Sequence, residues 1–204
     1  MKGALKHTRA IIICHGKSEM QICRYIRANL RLPIEVDSDN DSSIQIESLE
    51  RFFKRRHYRT AQDLYEKYSG IACPKKGKLD TDFKIFTWMD IDECQQPMCD
   101  EYKNGIMFKE RWFYPHLHPI YCDPKLEVIL TKAGMPFKSR SDDDKKREYI
   151  KLFPTDPKYK TPNRQTDREQ IEEFYRMLLP IKNQNLHELV NYCLMLEMQQ
   201  KSER

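Results

Sequence analysis

Five consecutive apolar residues, Ala10-Ile11-Ile12-Ile13-Cys14, run directly into His15-Gly16-Lys17-Ser18-Glu19, and then Met20, Ile22, Cys23, Ile26 and Leu30 follow at helical spacing. An unbroken β-branched run has no polar face, so it reads as a strand buried on both sides, as in a parallel sheet. The segment is therefore strand, tight turn, helix. Ser18 or a neighbour can cap the helix, and Glu19 suits its electropositive first turn.

The rest of the chain continues the alternation. A second strand is expected over Leu32–Val36, helices over Ile44–His57 and Thr60–Tyr68, and a strand over Phe83–Met89 that ends at Asp90-Ile91-Asp92-Glu93. Gln95–Gly105 reads as irregular, and Leu117–Tyr121 as a short strand despite Pro119. Helices are expected over Lys125–Ala133 and Ser141–Leu152, from the capping-box-like Thr166-Asp167-Arg168-Glu169 to Leu179, and over Asn185–Gln200. Strands alternating with helices predict an α/β fold with a mostly parallel sheet flanked by helices. We place one α/β domain over residues 1–152 and a C-terminal helical extension, packed on it, over residues 153–204.

Composition narrows the class. Hydrophobic residues make up 39% of the 204, enough for a sizeable core, and 11 Tyr, 9 Phe and 2 Trp are too many for a disordered chain. No apolar stretch approaches the roughly 18 residues of a membrane span. There is no secretory leader pattern behind Met1–Arg9, and seven cysteines are an odd number. A reduced, cytoplasmic setting is the expectation. Cys94, Cys99, His116, His118 and Cys122 remain a candidate zinc group, although Cys-x4-Cys followed by His-x-His-x3-Cys is not a paired knuckle.

Two predicted strand ends carry polar residues that a core does not require: His15–Glu19 and Asp90-Ile91-Asp92. Ligands of open α/β sheets bind at the carboxyl ends of strands. Asp90 and Asp92 are two apart, so an extended backbone would point both to one side. Paired carboxylates repel, which raises a pKa or recruits a cation, and oxygen ligands favour Mg²⁺ or Mn²⁺. Glu19 can approach the same point. An exposed turn would also account for Asp-x-Asp alone.

The net charge of +5 is mildly basic, and its clustering matters more than its total. Arg51, Lys54, Arg55, Arg56 and Arg59 lie beside Phe52, Phe53, His57 and Tyr58. As one helical stripe, they would set phosphate-binding groups next to stacking groups. The other reading is a solvated helix face with its apolar side in the core.

The segment Ile11–Glu19 resembles the first motif of TOPRIM domains, most closely of the OLD-type and RloB-like branches: an apolar strand, Glu-Gly, two or three residues, then an acid opening a helix. Phe86–Asp92 resembles the second motif, a strand ending in Asp-x-Asp. Cys122-Asp123-Pro124-Lys125-Leu126-Glu127 is similar to the RloB-like Ser-Asn-Pro-Cys-Phe-Glu segment. Together they cover about Ala10 to Leu130.

The resemblance implies a TOPRIM-like, Rossmann-like domain with metal-dependent phosphodiester chemistry. It further implies a nuclease of RNA or DNA, tRNA included, in anti-phage defence beside an ATPase partner of the OLD/ABC type. Glu19, Asp90 and Asp92 would be metal ligands for Mg²⁺ or Mn²⁺, with His15 and Glu127 completing the catalytic set. Lys17 matches no fixed position of the family but could hold a phosphate; the clustered Arg51, Lys54, Arg55, Arg56 and Arg59 could hold the nucleic acid, and a homo-oligomer is compatible. His15 stands where the family has a Glu. Imidazole suits Mn²⁺ better than Mg²⁺ and serves as a general base near neutral pH. The substitution leaves open a second function: a catalytically degenerate subunit that binds nucleic acid or a partner.

Overall fold

Every residue of Ala10–Cys14 is buried, as its unbroken apolar run requires, and the strand (β1) lies inside the sheet. The computed structural model describes residues 7–39, 43–72, 78–135, 152–153 and 167–203. Four strands form one sheet in the order β2-β1-β3-β4, where β2 is Ile34–Asp37, β3 is Lys84–Asp90 and β4 is Leu117–Cys122. All three pairings are parallel; Ile12 lies opposite Val36 on one side and Phe86 on the other.

The strand pleat divides the core between two faces. On one, Ala10, Ile12, Cys14, Phe86 and Trp88 meet Ile22 and Ile26 of α1 (Lys17–Leu30) and Leu126 and Ile129 of α5 (Leu126–Lys132). Phe174 of α6 (Asp167–Leu178) and Val190 of α7 (Leu186–Ser202) join the same cluster. The C-terminal helices therefore share the core of the sheet. On the other face, Ile11, Ile13, Ile85 and Met89 pack with Leu49 and Phe53 of α2 (Ile46–Phe53) and Leu64 of α3 (Ala61–Lys67). Tyr102 of α4 (Met98–Lys103) completes that layer. The architecture is α/β with an all-parallel sheet flanked by helices, consistent with a Rossmann-like fold.

Two expectations change. The helix expected over Ile44–His57 stops at Phe53, and Arg56–Tyr58 forms a separate 3-10 turn. Gln95–Gly105, expected to be irregular, contains α4. Its Tyr102 hydroxyl lies 2.8 Å from the Thr87 carbonyl and 3.0 Å from both Thr87 Oγ1 and the Ile120 carbonyl. That long-range anchor fixes a helix too short to announce itself by periodicity. The helix expected over Ser141–Leu152 lies, Leu152 apart, outside the described residues, as does Thr166.

Pro119 is accommodated because β4 is an edge strand and needs no amide donor on its open side. On that side the Asn185 amide donates to the Pro119 carbonyl at 2.9 Å, and its oxygen accepts the Tyr121 N–H at 2.8 Å. Among the described residues, no helix is long and apolar enough to cross a membrane.

Candidate active site

From β1 the chain passes through α1 on one face to β2; from β3 it passes through α4 on the opposite face to β4. The connections diverge between β1 and β3, so a crevice opens at their carboxyl ends, the topological switch point of an open α/β sheet. His15 and Asp90 stand there.

His15 prolongs the ladder: its N–H donates to the Trp88 carbonyl at 2.8 Å, and its carbonyl accepts the Ile44 N–H at 2.7 Å. Its ring Nδ1 lies 2.8 Å from the Ile44 carbonyl. A carbonyl only accepts, so Nδ1 carries the proton and Nε2 of the neutral ring keeps its lone pair. Gly16 caps α1, and its N–H donates to Glu19 Oε2 at 3.0 Å. A Cβ at Gly16 would stand 3.3 Å from that oxygen, so glycine gives the carboxylate its close approach.

Glu19 is only 3% exposed. Burial raises its pKa and the nearby Glu127 adds to the rise, while His15 and the capping N–H groups work against them. Asp90, 8% exposed, ends β3 with the parity of Trp88 and thus faces the layer that holds α1 and α5. Its Oδ1 accepts the Leu126 N–H at 3.0 Å, from the first residue of α5. Burial first, then the charges of Glu19 and Glu127, push its pKa up to about 8, although the Leu126 hydrogen bond opposes this. Glu127 is half-buried in the first turn of α5. Two helix starts and one strand end thus bring three acids to one crevice.

Asp92 corrects the expectation that an extended backbone aims both aspartates to one side. The strand ends at Asp90, and the N–H groups of Ile91 and Asp92 both turn to the Pro124 carbonyl, at 2.8 and 2.9 Å. Asp92 is exposed, its charge is the weakest of the acids acting on Asp90, and Lys125 Nζ lies 3.8 Å from its Oδ2. It belongs to the rim. Lys125, to which sequence reasoning gave no role, stands at that rim; the signal was a cation beside the third acidic motif. Lys17, the first residue of α1, is exposed.

The stripe Arg51–Arg59 is not one helix face. Phe52, Phe53 and Tyr58 are buried in the core, so they are not stacking platforms for bases. Arg55 pairs with Asp39 at 2.5 Å and lies over the Phe52 ring, and Lys54 pairs with Glu50 at 3.4 Å. Arg51 and Arg59 are exposed and form no ion pair among the described residues. Arg56 opens the 3-10 turn.

The zinc group is dispersed. His118 lies opposite Phe86 and Cys122 opposite Asp90, so they stand four positions apart along the strand, about 13 Å. His116 Nδ1 is 3.0 Å from the Phe83 carbonyl and His118 Nε2 is 3.0 Å from Lys84 Nζ, at the opposite end of the strand from Cys122. Burial, then the Lys84 charge, lowers the His118 pKa to about 4.

For a hard divalent cation, the oxygen donors Glu19, Asp90 and Glu127 are chemically suited, and the Asp90 pKa is raised by burial first and then by the charges of the other two. Among the described residues, no three His, Cys, Asp or Glu side chains are grouped so that they could hold a metal ion as they stand. A cation would therefore be held only as these carboxylates close on it. No known protein-family model matches the chain, and neither the curated proteins nor the solved structures provide a match.

Proposed function

We propose that this chain is a TOPRIM-like, metal-dependent nuclease that hydrolyses phosphodiester bonds of RNA or DNA, tRNA included. The observation that carries the reading is the convergence of Glu19, Asp90 and Glu127 at the β1/β3 switch point, with the Asp90 carboxyl raised to about 8. Glu19, Asp90 and Glu127 would hold Mg²⁺ or Mn²⁺, with Asp92 at the rim. The cation, when bound, neutralises charge on the phosphoryl group and acidifies a water. Asp90 would bind the cation as the carboxylate, its proton released to solvent. His15, fixed by its Nδ1 bond to the Ile44 carbonyl, presents Nε2 as a base for the attacking water. Lys17, at the start of α1, and Lys125, at the rim, are the cations nearest in sequence to the acids for a scissile phosphate, and Arg51, which is exposed and unpaired among the described residues, serves the flanking strand. A role in anti-phage defence beside an ATPase partner rests on the likeness of the motif segments.

One observation favours a second reading, a binding subunit without turnover. Glu19 is buried and engaged on the Gly16 N–H, which a structural helix cap would also explain. Incubation of labelled tRNA, single-stranded RNA and DNA with Mg²⁺ or Mn²⁺ separates the two. Cleavage that needs metal and disappears in Asp90→Asn is expected. Binding of any of these nucleic acids, with no cleavage in either metal, would replace the nuclease by the binding subunit.

A further inference from the structure

At the amino ends of β3 and β4, opposite the acid crevice, lies a cavity of ≈ 580 Å³. Pockets for small ligands span roughly 300–1,000 Å³. Arg59, Lys78 and His116 line it together with Trp112, Leu79 and Pro115, and none of its described lining residues is acidic. Arg59 and Lys78 form no ion pair with any described residue. Two cations lining one cavity, with no acidic side chain beside them in the described lining, leave positive charge for an anion.

The aromatic wall is already positioned. The Trp112 indole donates Nε1–H to the Tyr58 carbonyl at 3.0 Å and meets Phe113 edge-on, with centroids 5.7 Å apart. His116 is fixed by Nδ1, 3.0 Å from the Phe83 carbonyl, which leaves Nε2 as its other polar atom. A rigid flat ring, an apolar wall and a guanidinium fork form a combination that matches a planar base joined to a phosphate.

We propose that this cavity binds a nucleoside phosphate, with the phosphate on Arg59 and Lys78 and the base against Trp112. Its source is either a free nucleotide or the 5′-phosphorylated end of a strand. Arg59 is thus drawn out of the basic stretch into a defined pocket, separate from the carboxylate crevice.

Calorimetric titration of the full chain, in chelator, provides the test, because no step here uses a divalent cation. The ligands are AMP, adenosine, inorganic phosphate and a short 5′-phosphorylated oligonucleotide. AMP or the oligonucleotide should bind saturably, and whichever binds tighter identifies the source. Adenosine and inorganic phosphate should each bind at least about tenfold more weakly. Arg59→Ala and Trp112→Ala should each weaken binding by about tenfold, while Trp112→Phe keeps a ring and most of the affinity. Asp90→Asn should bind as the parent does, so loss of the nuclease reading would leave this one standing. The proposal is overturned if neither phosphorylated ligand binds by about 1 mM, a free energy near −4 kcal/mol. It is equally overturned if adenosine or phosphate alone matches the tighter of the two phosphorylated ligands, or if Arg59→Ala changes nothing.

Discussion

Asp90→Asn should make the metal-free protein more stable at neutral pH. The folded protein holds a proton on Asp90 up to about pH 8, whereas the unfolded chain releases it near the ordinary aspartate value of about 3.9. A folded pKa raised in this way contributes stability that is complete below about pH 4 and is lost as pH rises to about 8. Between about pH 4 and pH 7 the loss grows by about 1.4 kcal/mol for each step of one in pH, which sets a ceiling near 4 kcal/mol at pH 7. Asparagine keeps an oxygen for the Leu126 N–H, has nearly the same volume, and carries no charge to bury or to set against Glu19 and Glu127. The expected gain is about 2–4 kcal/mol at pH 7, shrinking towards zero near pH 4. Urea unfolding followed by circular dichroism, in chelator and across that range, reads the difference as a shift in midpoint at constant slope. Adding Mn²⁺ should raise the midpoint of the parent and leave the variant unmoved. A variant less stable than the parent at neutral pH, or a difference independent of pH, would refute the claim that Asp90 is a buried, charge-crowded acid.

The remaining predictions concern three other parts of the molecule. If the crevice is catalytic, His15→Ala should remove most cleavage, and His15→Glu should shift the metal preference from Mn²⁺ towards Mg²⁺, read from initial rates in each metal; an active enzyme indifferent to His15→Ala would remove this side chain from the mechanism. Arg51→Ala should weaken nucleic-acid binding more than Arg55→Ala, since Arg55 is already held by Asp39, and should lower the salt slope by about 0.7–0.9; equal effects of the two would return the stretch to an ordinary solvated surface. Phe174→Ala, in the core shared by α6 and the sheet, should cost about 3–5 kcal/mol in urea unfolding; a loss below about 1 kcal/mol would mean that α6 is peripheral to the domain.

The strand-turn-helix unit around Gly16 was legible because it is local: an unbroken apolar run has one buried solution, and α1 repeats its apolar residues at a fixed spacing. The same holds for β3 and for the helix start that carries Glu127. What the sequence hid depends on distant partners. Asp92 leaves the strand because the Pro124 carbonyl draws the two amides that precede and include it. The helix expected to run to His57 breaks at Lys54, and three of its neighbouring aromatics enter the core instead of serving a ligand. Nor does any local pattern bring Arg59, Lys78 and Trp112 to one cavity; they come from three separate connections.

Asn185 has a consequence for how copies of this chain, or a partner, can associate. Its amide engages the main chain of β4 from outside, donating at Pro119 and accepting from Tyr121, as the next strand of a sheet would. Pro119 cannot donate at all, so this border is blocked chemically as well as covered. The sheet can be extended from its other border only. There β2 presents Glu35, paired with Arg27, and Asp37, held by Lys67 and two tyrosine hydroxyls. A strand arriving at that border meets committed charges rather than a bare apolar edge. Stacking into fibrils is thereby discouraged at both ends of the sheet by different means: a side chain that imitates backbone at one, and a fence of ion pairs at the other.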